Sequence, residues 1–300
     1  MTMTKATSQT VGHDGQFRRS WIAEHQLAGF FILTFGWSWS LWLLAWLSGG
    51  GALQMALFLL GGFGPPISGA LIIHYSGGSV RNWARQIVKW RVPARFYLYA
   101  LGLPAAIWTV INLELALLSD DLDLSLLPGR LFVSIGTFLV VLTVGGALEE
   151  PGWRGFALPR LQQRMSPVRA TLLLGFIWGL WHIPIYGPLA PPFIMALAFF
   201  YTYLYNRTGS VLLAILLHAS FTPASDNFAL VPRGVHGITD VTIFTTVVAA
   251  AVILTVATRG RLGYQPSSPD EPREIPISQV PERGADHGGV TTKADRVTAV

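Results

Sequence analysis

The chain has 300 residues, of which 51% are hydrophobic and only 12% charged, with a formal net charge of +5. A soluble domain carries about 25% charged residues. The mean hydropathy of +0.47 and the apolar blocks of 17 to 23 residues therefore exclude an ordinary soluble domain. The 18 Arg and 3 Lys lie between those blocks and form no contiguous basic face, so no nucleic-acid partner is expected. With no cysteine, disulfides, thiolate catalysis and Cys-ligated metal sites are excluded as well.

The expected fold class is all-α: a polytopic membrane protein with about eight transmembrane helices and both termini cytoplasmic. Residues 1–26 are polar and read as a cytoplasmic tail with no secretory signal. Residues 27–258 read as the membrane domain, with spans at 27–47, 53–75, 97–118, 131–150, 170–187, 190–206, 210–229 and 239–258. Each block has about the 20 residues that a helical crossing needs. If the termini share a side, that side holds Arg18, Arg19, Arg81, Arg85, Lys89, Arg91, Arg95, Arg154, Arg160, Arg164, Arg169, Arg207, Arg259 and Arg261. The opposite loops hold Arg130 and Arg233 with Asp120, Asp121 and Asp123. Such asymmetry places the basic side in the cytoplasm. Between the second and third spans, Trp83, Ile87 and Trp90 alternate with Arg81, Arg85 and Lys89 at helical spacing, the pattern of a helix lying in the membrane interface. Residues 259–300, rich in Pro, Ser and charge, read as a disordered cytoplasmic tail.

Titratable groups at membrane depth are costly and usually functional. Here they are Glu149 and Glu150 at the end of the fourth span, His182 on the fifth and His218 on the seventh. The rise per residue puts His218 about 12 Å and His182 about 18 Å from the cytoplasmic ends of their helices. Glu149 lies about 13 Å deep provided that its helix runs on through Pro151 toward Leu158. One carboxylate and two imidazoles at similar depth suit either of two hydrolytic schemes. In one, the glutamate is general base to a water that a histidine orients, with no metal. In the other, Glu149, His182 and His218 are ligands of a Zn2+ that keeps a position open for water.

The ordered residues Glu149-Glu150-x-x-x-Arg154, then Trp178-x-x-x-His182, then His218 resemble the motifs of the CPBP family, the CAAX-protease and bacteriocin-processing (Abi) intramembrane proteases. The resemblance covers residues 130–225. It implies an intramembrane endopeptidase acting on membrane-associated or lipidated peptides and proteins. It implies Glu149 as general base, His182 holding the attacking water, and His218 with Thr222 at the oxyanion. Glu150 and Arg154 would support the site, Arg154 through its bidentate fork, with Trp178 and Trp181 in contact with substrate. Both glutamic-type and zinc-dependent chemistry are attributed to that family. Thr222 departs from the motif, which has Asn or Asp there, so Asp226 or Asn227 is a candidate replacement and an impaired scaffold or immunity protein is the first alternative. A proton- or cation-coupled transporter using the same three groups is the second. In a bacterial cell the membrane would be the plasma membrane.

Overall fold

The computed structural model describes residues 24–232 and 236–265, and every regular element among them is helical. The expected tails lie outside the described residues apart from 24–26 and 259–265.

The first layer is α1 (Gln26–Leu47), α2 (Gly51–Gly62) and α3 (Gly64–Tyr75). The block expected as one span over 53–75 is broken at Phe63, where α2 and α3 meet at a 45° bend. The cause lies in the sequence Gly61-Gly-Phe-Gly-Pro-Pro66. Pro65 has no N–H, so the Gly61 carbonyl loses its donor four residues on. Inside a membrane such a carbonyl must be satisfied by protein, and α1 supplies the donors. Ser38 Oγ donates to Gly61 O at 2.7 Å, Trp42 Nε1 to Phe58 O at 3.0 Å and Trp37 Nε1 to Leu60 O at 2.9 Å.

A short helix α4 (Val80–Ala84) follows, then α5 (Ala94–Leu118) and α6 (Leu127–Thr143). The interfacial helix expected over 81–90 is only five residues long. Trp83 points inward and donates to Gly155 O at 3.1 Å, whereas Trp90 stays exposed. After α6 the chain breaks at Val144–Gly145 and resumes as a 3-10 turn (Gly146–Glu149), α7 (Glu150–Gly152), a π turn (Trp153–Ala157) and α8 (Leu158–Gln162). The helix does run past Pro151. The proline sits in the first turn of α7, where its missing N–H costs no hydrogen bond.

The last layer comprises α9 (Pro167–Trp181), α10 (Ile183–Tyr186), α11 (Ala190–Thr208), α12 (Val211–Asn227) and α13 (Ile238–Ala257). Two glycines set how closely α9 approaches α11. A Cβ on Gly175 would lie 2.9 Å from the Ala198 Cβ, and one on Gly179 would lie 2.5 Å from the Pro191 Cα. Small residues of this kind let membrane helices pack backbone to backbone. Among the described residues, four helical stretches are long and apolar enough to cross a membrane, or five if the bent α2–α3 pair is one span. The described residues are thus all-helical, with helix lengths and composition that suit a multi-pass membrane protein. Eight crossings and the side of the termini are a finer reading.

Candidate active site

The break at Gly145 turns the chain so that Glu149 and Glu150 enter the packed interior, and both are fully buried. Their two carboxylates are held differently. Glu149 and Trp153 are one helical turn apart, and Trp153 Nε1 donates to Glu149 Oε2 at 2.8 Å. Trp178 Nε1 donates to the same oxygen at 3.2 Å. Oε1 of Glu149 has no hydrogen-bond partner. It faces His218 Nε2 at 3.5 Å and His182 Nε2 at 3.7 Å. Glu150 Oε1 instead receives His218 Nδ1 at 2.8 Å, and Arg154 Nη1 lies 3.1 Å from Oε1 and 3.0 Å from Oε2.

The ring nitrogens can be assigned from their partners. His182 sits at the end of α9 with Nδ1 2.8 Å from the Trp178 carbonyl. A carbonyl only accepts, so Nδ1 carries the proton and neutral His182 presents a lone pair at Nε2. The same logic applies to His218, whose Nδ1–H is taken by the Glu150 carboxylate. Two Nε2 lone pairs and one carboxylate oxygen therefore converge with no proton fixed between them. Gly146 borders this space: a Cβ there would be in ordinary contact with His218 Nε2 at 3.4 Å and Glu149 Oε1 at 3.6 Å. Three converging acceptors need a donor or a cation, so these residues suit a water and suit a metal ion equally.

Ligand atoms of Glu149, Glu150 and His218 lie within 4.8 Å of one another, and this buried group can hold a metal ion. The sequence reading has His182 in the place of Glu150. Glu150 is already committed to Arg154 and to His218 Nδ1, so its part in the group is to hold His218. The free lone pairs are those of Glu149 Oε1 and the two Nε2 atoms.

Arg154 differs from the expected bidentate fork. One nitrogen, Nη1, serves both Glu150 oxygens, while Nε and Nη2 make no hydrogen bond. The guanidinium instead lies against two aromatic rings set edge to face to each other, 4.0 Å from the Trp178 centroid and 4.3 Å from that of Tyr201. A weakly hydrated planar cation beside two aromatic rings tolerates burial better than its hydrogen-bond count suggests.

The histidines open on a cavity of about 230 Å³ lined also by Trp178, Tyr186, Phe193, Leu197, Tyr201 and Thr222. Thr222 is half-buried and spends its hydroxyl proton on the His218 carbonyl at 3.2 Å. Asn227 points elsewhere, donating to Pro223 O at 3.1 Å, and does not replace it. The side chain of Asp226 falls outside the described residues. Trp178 lines the cavity, but Trp181 does not. It packs among Trp42, Trp153 and the edge of His182, with ring centroids 4.7, 5.8 and 4.8 Å away. Adjacent positions on a helix diverge by about 100°, so Trp181 need not face the cavity that His182 faces. Sequence reasoning assigned no role to Trp153, Tyr201 or Gly146. Trp153 was findable as the residue one turn after Glu149. Tyr201 lies in a helix apolar on most faces and gave no signal.

Residues 131–222 match the family described as type II CAAX prenyl endopeptidase Rce1-like. That match covers less than a third of the chain, so it marks a segment similar to that family. A CAAX prenyl protease 2 of Methanococcus maripaludis is 45% identical over 47 residues, 16% of this chain and 17% of that protein. The matched family segment holds all six residues of the site from Glu149 to Thr222. Its members are proteases, and the buried Glu149, Glu150 and His218 cluster is consistent with a catalytic site.

Proposed function

We propose that the chain is an intramembrane endopeptidase that hydrolyses membrane-associated or lipidated peptides in the cavity beside His182 and His218. The observation that carries this reading is the single unpartnered oxygen of Glu149, faced by two imidazole lone pairs. A water in that space donates one hydrogen to Glu149 Oε1 and a second to a histidine Nε2, which leaves its own lone pair directed at the cavity. As its oxygen bonds to the scissile carbonyl carbon, its proton moves to Glu149. Glu149 returns that proton to the amide nitrogen as the C–N bond breaks, giving an acid and an amine. His182 Nε2 accepts the water's second hydrogen, His218 stands at the place of the developing oxyanion, and Thr222 lines the cavity beside it. A Zn2+ held by Glu149, His182 and His218 would supply Lewis-acid activation of the water. Glu150 and Arg154 hold His218 in place in either case.

The lining supports substrate contact by Trp178 and leaves Trp181 a packing role. We also retain eight crossings with both termini cytoplasmic, a proteolytic core over 130–225, and flanking tails. A reporter fused after Val300 should then be cytoplasmic. The bilayer and a membrane-associated peptide or protein are the partners this reading requires. The test is cleavage of lipidated and amphipathic peptides by the protein in lipid, read by mass spectrometry for the wild type and Glu149→Gln. Cuts present in the first and absent in the second support the reading; equal cleavage by both removes Glu149 from the chemistry.

A further inference from the structure

Outside the site, residues 85–91 form a second built feature. Arg85, Lys89 and Arg91, with Gln86, Val88, Trp90 and Gly209, line a concavity of about 450 Å³. No acidic residue lines it, and none of the three cations has an ion-pair partner among the described residues. A solvated basic loop would have a loose backbone, whereas this one is fixed from three directions. Val211 N donates to Gln86 O at 2.9 Å, and Ser210 Oγ donates to Lys89 O at 2.7 Å. Tyr97 Oη donates to Trp90 O at 2.6 Å. The Gln86 side chain donates to Gly155 O at 3.0 Å and accepts from Tyr205 Oη at 2.8 Å. Gly209 closes the wall: its φ of +58° makes the turn between α11 and α12, and a Cβ there would lie 3.1 Å from Lys89 Nζ.

The lining is also amphipathic. Val88 and Trp90 are 68% and 61% exposed beside the cations. The segment joins the end of the α2–α3 pair to the start of α5, two candidate spans, and so lies at the level of lipid headgroups. Unpaired cations suit a phosphate, and exposed apolar side chains among them suit one that carries acyl chains. A free phosphate would use only the first of these features.

We infer that Arg85, Lys89 and Arg91 form a binding site for the phosphate of an anionic phospholipid, with Val88 and Trp90 against its glycerol and upper acyl region. Lipid retention is measured without turnover, so this site stands or falls apart from the glutamate chemistry. The test reconstitutes the protein in equal phosphatidylglycerol and phosphatidylcholine and counts retained lipids by native mass spectrometry. Wild type should hold phosphatidylglycerol several-fold over phosphatidylcholine, and the triple variant Arg85→Gln, Lys89→Gln, Arg91→Gln should hold both equally. These side chains are exposed, so the unfolding temperature in detergent should stay put. Undiminished enrichment in the triple variant overturns the site. So does an equal loss in Arg259→Gln, Arg261→Gln, exposed cations that do not line it. Inorganic phosphate should raise the unfolding temperature in detergent less than phosphatidylglycerol does; an equal rise would overturn the assignment to lipid.

Discussion

Glu149 and Glu150 are chain neighbours, both fully buried, yet their surroundings are opposite. Glu150 is charge-paired: Arg154 Nη1 lies within 3.1 Å of both its oxygens and His218 Nδ1 donates to Oε1. Glu149 has two indole donors on one oxygen and none on the other. A carboxylate that satisfies a buried cation holds structure in place. In the proposed mechanism the oxygen left short of a donor takes the proton of an entering water, so the same residue type, one position apart, would serve support and chemistry.

The comparison is broken most sharply by exchanging each acid for its amide. Glu149→Gln should lower peptide cleavage by about 100- to 10,000-fold, the usual worth of a general base. Its unfolding temperature should stay near that of the wild type, because an amide oxygen still accepts from Trp153 and Trp178. Glu150→Gln strips the countercharge from buried Arg154 and should cost roughly 3–5 kcal/mol of stability. Thermal unfolding in detergent, measured beside cleavage, separates the two; matching profiles would erase the distinction drawn between them.

Smaller changes sharpen it. Trp153→Phe removes one of two donors to Glu149 Oε2 while keeping the ring packed against Phe30, 5.5 Å away. A hydrogen bond to a charged group is worth about 1.5–3 kcal/mol, so the expected loss in cleavage is between about 10- and 160-fold. An unchanged rate would show that Trp178 alone orients the carboxylate. The smallest effect is expected from Thr222→Asn. The threonine hydroxyl already serves the His218 carbonyl, so an amide at that place adds a donor to the cavity and removes none that the oxyanion uses. Cleavage kinetics should rise or stay unchanged; a complete loss would mean that threonine itself is required.

Much of this was legible in the sequence because it depends on local spacing. Depth along a helix follows from the rise per residue, so Glu149, His182 and His218 could be brought to one level before any coordinates. The family resemblance paired Arg154 with a carboxylate, and Arg154 does lie one turn after Glu150 and in contact with it. What escaped depends on contacts between distant segments. Tyr201 lies against Arg154 from α11, which no periodicity reports. The lone Nη1 contact and the aromatic contacts of the guanidinium follow from where Trp178 and Tyr201 stand, and these belong to other helices. The broken span at Phe63 was half visible. Pro65 and Pro66 mark the bend, but its stability rests on Ser38 and two indoles of α1. Trp181 shows the reverse error, where proximity in sequence to His182 suggested a place in the cavity that helical rotation denies it.

The central claim is that Glu149 activates a water and does not itself attack the substrate. A single-turnover cleavage in water labelled with heavy oxygen, followed by mass spectrometry of product and protein, tests it most directly. The account predicts the label in the new carboxylate of the product from the first turnover, with Glu149 unlabelled. Label in Glu149 alongside an unlabelled product carboxylate would mean that the glutamate had formed a bond to the substrate, and would contradict it.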